Sequence, residues 1–463
     1  MKNTIYILPF LVLLTLSAFI SSCKKDQLFS SNKLSFSVDT VLFDTVFTTI
    51  GSVTKRYKIY NTENKPVNIS KVTLAGGESS PYRINLDGVS GTQFKDITIP
   101  ADDSLFMFVE VTLGENNIND PFIIEDSVLF KTNGKDQSVL LAAWGQNAYF
   151  HSQELINTGT WLSDKPHVIY DLAVVNPNQT LTIEAGAHIY MHKQTILYIN
   201  KGKLIMNGTA TDKIIVEGDR LESFYEDVKG QYYGIYFDHA LSSSINHAII
   251  KNGTAGIHIL GDNVNNTNPT LSISNTEIFN HASYGIFNYS GGRIEGSNLS
   301  VYNNGQYAFF LLEGGDYNFR HCDFLGYGTD GDQPAIVIKN YFTREDGITY
   351  VGAVNEGAIY NSIVYGSGKS QYVYDTITQN GSVDVNYDFN NNFIKREGVP
   401  SNSSFTDNIW NTNPRFKNVG EQNFKLKSNS PCIDSGKLLY SVSPDIDGVM
   451  RTPPPDIGAY EFN

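Results

Sequence analysis

The sequence contains little cysteine and has a deficit of positive charge, and each shortage excludes a class of protein. Three cysteines among 463 residues are too few for a disulfide framework. Lysine and arginine number 34 against 48 aspartates and glutamates, which gives a formal net charge of −14. A nucleic-acid-binding surface needs a basic face that neutralises phosphates, so this composition argues against nucleic acid as a partner.

The long apolar run from Ile5 to Ile20 follows a short basic start and is followed by Ser21-Ser22-Cys23. The run is too short and too early for a stable transmembrane span. It resembles a lipoprotein signal peptide over residues 1–22, with Cys23 as the lipidated first residue of the mature protein. Residues 23–33 would then be the lipidated cysteine and a polar tether.

The residues after Cys23, Lys24-Lys25-Asp26, resemble the start of lipoproteins from Bacteroidota-type bacteria. Lysine at the second mature position differs from the aspartate signal that retains lipoproteins at the inner membrane. The resemblance implies an outer-membrane protein, with exposure at the cell surface as an open alternative. Its contact with the membrane would be the N-terminal acyl chains. A plain secretory signal with an incidental Cys23 is the alternative.

No apolar pattern at helical spacing extends over ten or more residues between Val168 and Ile363. Short apolar runs alternate there with Asn, Gly, Thr and Pro, which is typical of strands separated by turns. The steps from Ile278 to Val301 (301 − 278) and from Val301 to Phe324 (324 − 301) are both 23 residues. A fixed period of this size indicates a solenoid.

Residues 149–412 therefore resemble a right-handed parallel β-helix, in which inward side chains of each coil stack on the next and Asn or Gly forms the corners. Ile249 is aligned with Ile278, a longer step of 29 residues (278 − 249). A larger insertion is placed at about residues 329–352, and solenoid insertions lie on the surface, often at the binding face.

Residues 34–148 predict an immunoglobulin-like β-sandwich, because seven short strand-like runs are separated by turn clusters. The runs are Ser35–Val38, Arg56–Tyr60, Val67–Leu74, Tyr82–Leu86, Leu105–Leu113, Ser127–Lys131 and Ser138–Ala143. The stretch Asn61–Ser70 and the strand starting at Asp126 resemble bacterial relatives of ASH-type domains, which implies a spacer or docking module.

Residues 413–463 resemble the C-terminal ending of secreted bacterial β-helix proteins of the choice-of-anchor Q group. The resemblance rests on Asn423–Gly436, Asp445–Arg451 and Asp456–Glu461. It implies that this region ends and caps the β-helix. It does not imply one activity, because the fold hosts lyases, hydrolases, adhesins and inert scaffolds.

Charged residues cluster around the predicted insertion, and they are the candidates for catalysis: Asp323, Asp330, Asp332, Lys339 and Arg344. Resemblance to β-helix polysaccharide lyases implies carboxylates that hold Ca²⁺ against a uronate, and a Lys or Arg base. A glycosidase needs two carboxyl groups about 5–9.5 Å apart, and the sequence selects no pair. Asp330-Gly-Asp332 is equally a loop turn.

Asp445 and Asp447 are candidate Ca²⁺ ligands, because hard oxygen donors beside a glycine suit that ion. The favoured alternative is a cap whose aspartates bond their own backbone, with Arg451 paired to one of them. No other cofactor is expected.

Tyrosines recur on or near the coils, and those that point outward could stack on sugar rings. The recurring residues are Tyr225, Tyr232, Tyr233, Tyr236, Tyr284, Tyr289, Tyr307, Tyr317, Tyr327 and Tyr341. The ligand-binding candidates among them are Tyr232, Tyr233, Tyr327 and Tyr341. Tyr232 and Tyr233 cannot both face inward in one strand. The alternative is packing in the core.

The sequence thus predicts a lipid-anchored cell-envelope protein whose β-helix binds a polysaccharide or a surface protein without catalysis. The anchor, the modular order and the lack of a compact catalytic constellation favour it. One alternative is a polysaccharide lyase or glycoside hydrolase with its site near residues 323–346. Another is a structural component of a surface assembly.

Overall fold

The computed structural model of the protein describes residues 29–30, 32–116, 121–261, 268–331, 333–378 and 381–463. The predicted signal peptide, Cys23, most of the tether and Asp332 lie outside the described residues. Within those ranges, no helix is long and apolar enough to cross a membrane. The chain divides into two compact units, residues 1–146 and 147–463.

The first unit is a sandwich of two five-stranded sheets, ordered β1-β3-β8-β5-β6 and β2-β10-β9-β4-β7. Its core includes Tyr57, Ile59, Val72 and Phe130. The strands are β1 (Ser35–Phe36), β2 (Thr40–Phe47), β3 (Lys55–Asn61), β4 (Val67–Leu74), β5 (Tyr82–Leu86), β6 (Val89–Ser90), β7 (Gln93–Ile99), β8 (Asp103–Val111), β9 (Phe122–Thr132) and β10 (Lys135–Gln146). A 3-10 helix, Gly77–Ser79, precedes β5.

The predicted sandwich is confirmed, and it contains three strands more than the sequence suggested. The additional strands are β2, β6 and β7, and each lies at the edge of its sheet. Edge strands in proteins carry polar and charged residues that interrupt the apolar pattern. For this reason their sequences resemble turns and linkers.

The second unit contains the remaining strands, together with the 3-10 helices Ser223–Tyr225 and Leu438–Tyr440. Its first strands are β11 (Tyr149–His151), β12 (Glu154–Ile156), β13 (Gly159–Trp161), β14 (His167–Ile169), β15 (Leu172–Val175), β16 (Thr180–Glu184), β17 (His188–Met191), β18 (Ile196–Asn200), β19 (Lys203–Asn207), β20 (Ile214–Gly218), β21 (Gly234–Asp238), β22 (Ser243–Asn246), β23 (Ala248–Lys251), β24 (Ala255–Leu260), β25 (Leu271–Phe279), β26 (Tyr284–Ser290) and β27 (Arg293–Tyr302). They are followed by β28 (Tyr307–Glu313), β29 (Asp316–Arg320), β30 (Asp323–Gly326), β31 (Ile336–Lys339), β32 (Tyr341–Thr343), β33 (Thr349–Val351), β34 (Gly357–Tyr360), β35 (Ile363–Gly366), β36 (Tyr372–Asp375), β37 (Asp388–Asn390), β38 (Phe393–Ile394), β39 (Phe405–Thr406), β40 (Ile409–Trp410), β41 (Phe416–Asn418) and β42 (Asn423–Leu426).

Apart from the antiparallel pairs β32–β33 and β41–β42, these strands form three columns of parallel neighbours, so the predicted parallel β-helix is confirmed. Column one is the nine-stranded sheet β12-β15-β18-β21-β24-β26-β28-β31-β36. Column two contains β13, β16, β19, β22, the first parts of β25 and β27, β29, β34, β37 and β39. Column three contains β11, β14, β17, β20, β23, the second parts of β25 and β27, β30, β35, β38 and β40.

The coil register agrees with the predicted 23-residue period. Ile278 pairs with Val301, and Val301 pairs with Phe324. One alignment is wrong by a single residue, because Ile250 rather than Ile249 pairs with Ile278. Since side chains alternate across a strand, a slip of one residue exchanges the inward and outward sets.

The corner between columns two and three is built by residues with left-handed backbone conformation. His247, Asn275, Asn298, His321 and Asn361 have φ between 46° and 52°. Asparagine tolerates this region because its short polar side chain can hydrogen-bond locally. The side-chain amide of Asn298 donates to Asn275 Oδ1 at 2.9 Å, so the corner residues also bond from coil to coil.

Inside the solenoid, apolar side chains at equivalent positions stack in ladders. On column one the ladder runs Leu197, Ile235, Ile257, Ile286, Phe309 and Ile336. All six are fully buried. Burying one such side chain stabilises the fold by about 1.5–3 kcal/mol, so the core is distributed along the whole stack.

The C-terminal segment, residues 413–463, lies along the outward side of column three. Its Phe424 and Ile457 pack in one cluster with Tyr302, Leu325 and Phe393 from successive coils. The predicted cap therefore covers the side of the solenoid over several coils. The predicted insertion is also smaller than expected, because β31 is a regular strand of column one and only the hairpin β32–β33 departs from the coil.

Candidate functional site

The residues predicted to be catalytic do not converge on one site. Asp323 lies beneath the C-terminal segment and is 1% exposed. Its Oδ1 accepts a hydrogen bond from the backbone N–H of Ala459 at 3.1 Å. Burial raises the pKa of the Asp323 carboxyl to about 8. A group covered in this way cannot reach a polysaccharide at the surface, which corrects its assignment to catalysis.

The other described candidates lie on separate parts of the β-helix. Lys339, on column one, pairs with Asp375 at 3.6 Å. Arg344, in the hairpin β32–β33, pairs with Glu313 at 3.1 Å. Asp330 is exposed at the corner between columns three and one. A catalytic acid and base must both reach the reacting atoms, and the structure does not assemble these side chains into such a pair.

Two of the tyrosine candidates are separated by the alternation of β-structure. Tyr232 is 1% exposed, and its hydroxyl donates to the carbonyl of Lys251 at 2.7 Å. Its burial excludes stacking on a ligand and corrects that assignment. Tyr233 faces outward and shares a 2.5 Å hydrogen bond with His258 Nδ1. The prediction that the two rings cannot both face inward is confirmed.

The other two tyrosine candidates contact protein groups at different places. The ring of Tyr327 stacks on Phe424 of the C-terminal segment, with 5.8 Å between centroids. The hydroxyl of Tyr341 donates to Asp375 at 2.9 Å, and the ammonium of Lys339 lies 4.6 Å from its ring centroid. Neither belongs to a continuous aromatic surface.

The carboxylates of the two candidate Ca²⁺ ligands already bind other groups of the protein. The carboxylate of Asp445 accepts three backbone hydrogen bonds at 2.7–3.0 Å, from Asp447, Val449 and Glu461. Asp447 pairs with Lys425 at 2.7 Å. Among the described residues, no group of three His, Cys, Asp or Glu side chains is arranged to hold a metal ion. This geometry favours the cap, in which Arg451 pairs with Glu461 at 3.3 Å instead of an aspartate.

The outward side of column one carries a row of rings that we call the aromatic strip. It consists of Tyr198, Tyr236, His258, Phe287 and Phe310, which are paired in register on successive strands. The distances between successive ring centroids are 5.1, 4.3, 4.7 and 5.2 Å. Four of the rings are half-buried and Phe310 is buried.

The local sequence explains why these rings face outward. In β21 the order is Ile235-Tyr236-Phe237, and the two flanking residues are fully buried. The same alternation places His258 between Ile257 and Ile259 in β24. Because neighbouring strands are about 4.8 Å apart, rings at the same register come into stacking distance.

Four partly exposed tyrosines widen the strip: Tyr233, Tyr284, Tyr289 and Tyr307. Tyr284 lies 4.7 Å from Phe287, and Tyr307 lies 5.1 Å from Phe310, measured between ring centroids. Tyrosine combines an apolar ring with a hydroxyl that can donate and accept hydrogen bonds. The surface is therefore apolar along its centre and polar at its hydroxyl groups.

The aromatic strip is uncharged at neutral pH. Burial lowers the pKa of His258 to about 4, so its imidazole is neutral. Burial, with a smaller contribution from Asp238, raises the pKa of Tyr236 to about 12. The carboxylate of Asp238 accepts a short hydrogen bond from the Tyr198 hydroxyl and lies at one edge. A surface of this kind suits a neutral or weakly polar partner.

Sequence reasoning had named the flanking tyrosines and Tyr236 but had missed Tyr198, His258, Phe287 and Phe310. The coil period contains a signal for two of them, because Phe287 and Phe310 are 23 residues apart (310 − 287). The step that relates Ile278 to Val301 in column three thus also relates Phe287 to Phe310 in column one.

Comparison with known proteins gives a limited result. No family model and no curated protein matches the sequence. Similar solved structures include a family 123 glycoside hydrolase from Clostridium perfringens, at 11% identity and a TM-score of 0.19, covering 26% of this chain and 30% of that chain. The chain thus spans less than a third of that hydrolase.

Two further solved structures are also similar to parts of this chain. One is the catalytic unit of a GH87 α-1,3-glucanase from Streptomyces thermodiastaticus, at 12% identity and a TM-score of 0.27, covering 77% of this chain and 90% of that chain. The other is the ASH/PapD-like domain of human CEP192, at 12% identity and a TM-score of 0.17, covering 28% and 94%. At such low scores, the function has to be argued from the geometry of this chain.

Proposed function

We propose that this protein is a lipid-anchored cell-envelope protein whose β-helix binds a polysaccharide without catalysis. The aromatic strip is the proposed binding surface. The observation that carries the proposal is a continuous outward row of five uncharged rings, flanked by four tyrosine hydroxyl groups. Contiguous apolar surface on the outside of a protein, even when it is only partly exposed, often marks a binding site.

The repeat of the strip favours a linear polymer over a compact ligand. Five rungs span four strand spacings, which is about 19 Å. Successive rings contact each other, with Phe287 and Phe310 stacked and the other pairs tilted or edge-on, so they present edges and hydroxyl groups to the ligand. Ring edges pack against the C–H groups of sugars, while hydroxyl groups exchange hydrogen bonds with sugar oxygens. A chain of sugars can make the same contact at several successive rungs.

Apolar side chains at the outward positions of column one continue the line of the aromatic strip beyond its rings in both directions. Val337 and Val373 extend it at one end, and Val174 and Leu155 extend it at the other. Leu155 is 65% exposed and Val373 is 37% exposed. A polymer longer than the strip therefore has further apolar surface on the same line.

The proposed anchor rests on the sequence, through the apolar run from Ile5 to Ile20 and the cysteine at position 23. Acyl chains on Cys23 would hold the protein at the outer membrane, and the sandwich would act as a spacer. Stable attachment needs more than one acyl chain or a second membrane signal. No cofactor is required for binding of this kind.

A binding screen on immobilised polysaccharides tests the function, using the whole mature chain and the variant Phe287→Ala. We expect the variant to bind at least tenfold more weakly, which corresponds to about 1.4 kcal/mol. Its unfolding midpoint should stay high enough that the variant is fully folded under the conditions of the screen. The matched control is Phe224→Ala, since Phe224 is 77% exposed and lies outside the strip.

Three outcomes would contradict the proposal. The first is failure of the unmodified protein to bind any polysaccharide in the screen. The second is equal binding by the Phe287→Ala variant. The third is release of reducing ends or of unsaturated products from a bound polymer, which would show catalysis.

A further inference from the structure

A second surface on the β-helix, separate from the aromatic strip, has a different chemistry. It is a cleft of about 570 Å³ on the outward side of column two, which we call the polar cleft. Its floor is formed by Ser272, Ser274, Glu295, Ser297, Asn318 and Arg320. Val442 of the C-terminal segment lines one side.

The floor is built from two polar ladders on three successive coils. Ser272, Glu295 and Asn318 are paired in register. Ser274, Ser297 and Arg320 form the second ladder, two residues further along each strand. Hydroxyl, amide and charged groups thus replace the rings that occupy the equivalent outward positions of column one.

The arginine at one end of the cleft is neutralised by its neighbours. Arg293 Nη2 lies 2.8 Å from Glu356 and 3.1 Å from Glu295, and its Nη1 lies 3.9 Å from Asp316. Glu356 also accepts a hydrogen bond from the amide of Asn318 at 2.8 Å. The three carboxylates more than neutralise Arg293, so this end of the cleft carries excess negative charge and Arg293 is not available to an anion.

Arg320 is in a different position. Its Nε donates to Asn318 Oδ1 at 3.3 Å, and within the described part of the chain no carboxylate lies within ion-pair distance of its guanidinium. An arginine has five N–H donors, and a half-buried guanidinium with a single neutral partner favours an anion. Arg320 lies between Ser297 and Tyr360 of the neighbouring coils.

The wall of the cleft is held in place before any ligand arrives. The carbonyl of Val442 accepts a hydrogen bond from Arg451 Nε at 3.0 Å. Arg451 Nη2 donates to Asn298 Oδ1 at 3.1 Å, and Asn298 directly follows Ser297 of the floor. The floor and the wall are therefore joined through one buried arginine.

We propose that the polar cleft binds a sugar chain that carries carboxylate or sulfate groups, with Arg320 as the group that pairs with the anion. The guanidinium fork matches both anions in a bidentate arrangement. The serine, asparagine and glutamate side chains of the floor exchange hydrogen bonds with sugar hydroxyl groups. The inference rests on the proposed polysaccharide function and specifies a charged class of polymer.

Protein partners fit the polar cleft poorly. They are held by aromatic and apolar side chains in desolvated pockets, and the floor has none facing outward.

The test compares the full mature protein with its Arg320→Gln variant on three soluble polymers: polygalacturonate, dextran sulfate and neutral dextran. We expect the unmodified protein to bind one or both acidic polymers, and the variant to bind them at least tenfold more weakly. Arg320→Lys, which keeps the charge but loses the fork, should be intermediate. The matched control is Arg415→Gln, which removes an exposed arginine of the C-terminal segment.

The outcomes separate this inference from the proposed function. If Arg320→Gln and Arg320→Lys both bind the acidic polymers as tightly as the unmodified protein, the inference is wrong. It is also wrong if the acidic polymers do not bind while neutral glycans bind through Phe287. Loss of acidic-polymer binding in the Arg320 variants, with neutral-glycan binding retained, would establish it. Comparison of polygalacturonate with dextran sulfate then shows whether Arg320 pairs with a carboxylate or with a sulfate.

Discussion

The burial of Asp323 under the C-terminal segment makes the stability of the β-helix depend on pH. The carboxyl has a pKa raised by burial from 3.8 to about 8, while the charge of Arg451 and the bond from Ala459 oppose the shift. The folded protein therefore keeps the Asp323 proton up to about pH 8, whereas the unfolded chain releases it near pH 4. The folded state binds more protons in this window, so stability falls as pH rises through it.

The magnitude follows from the two pKa values. Stability should fall by about 1.4 kcal/mol for each pH unit within the window, and by roughly 6 kcal/mol across all of it. Asp323→Asn replaces the carboxyl with a neutral group of the same shape, and its Oδ1 can still accept from Ala459. Between pH 5 and pH 7, the unmodified protein should therefore lose about 3 kcal/mol relative to the variant.

Equilibrium urea unfolding at several pH values from 5 to 9, followed by circular dichroism, measures the difference. Asp445 and Asp456 also have pKa values raised by burial. Their contribution to the pH dependence of stability is the same in the unmodified protein and in Asp323→Asn, so it cancels in the difference. The control is Asp330→Asn, which makes the same substitution at an exposed aspartate of the β-helix. Parallel curves for the unmodified protein and Asp323→Asn would refute the reasoning.

Two other predictions concern the corner and the anchor. Asn298→Ala removes side-chain bonds to Asn275, Pro444 and Arg451 and leaves an alanine at φ 50°, so urea unfolding should show a loss of about 3–5 kcal/mol. Asn298→Gly should lose less, and equal losses would mean that the backbone conformation has no cost. Cys23→Ser should move the protein from the membrane pellet to the soluble fraction and abolish incorporation of labelled palmitate; retention in the pellet would contradict the proposed anchor.

The solenoid could be predicted because its order is repetitive and local. The 23-residue steps at Ile278, Val301 and Phe324 repeat one apolar position per coil, and the structure pairs those positions. The adjacent apolar pair Ile249-Ile250 offers two registers of equal hydrophobicity, which is why the sequence alone selected the wrong one.

The sandwich was predicted from its central strands and the edge strand β1, whereas the other three edge strands, β2, β6 and β7, were missed. In β2, Asp44 and Thr45 interrupt the apolar run where the pairing with β10 shifts register. In β7, Lys95 and Asp96 interrupt it in the same way. Polar interruptions of this kind are ordinary at sheet edges but resemble turn signals in a linear sequence.

The location of the candidate site required three-dimensional information. Nothing near Asp323 in the sequence shows that residues 458 and 459 cover it. By contrast, Phe287 and Phe310 could have been placed together by the coil period. The burial of Asp323 by residues distant in sequence depends on the tertiary fold, whereas the spacing of Phe287 and Phe310 follows from the coil period.

The contact between Arg451 and Asn298 joins residues that are 153 positions apart, whereas corner asparagines of adjacent coils are 23 positions apart. Closing a short loop costs less entropy than closing a long one. Coils can therefore be added one after another, each on a finished neighbour. We therefore expect the coils to fold first, and the C-terminal segment to dock on column three only after the coils that it contacts have formed.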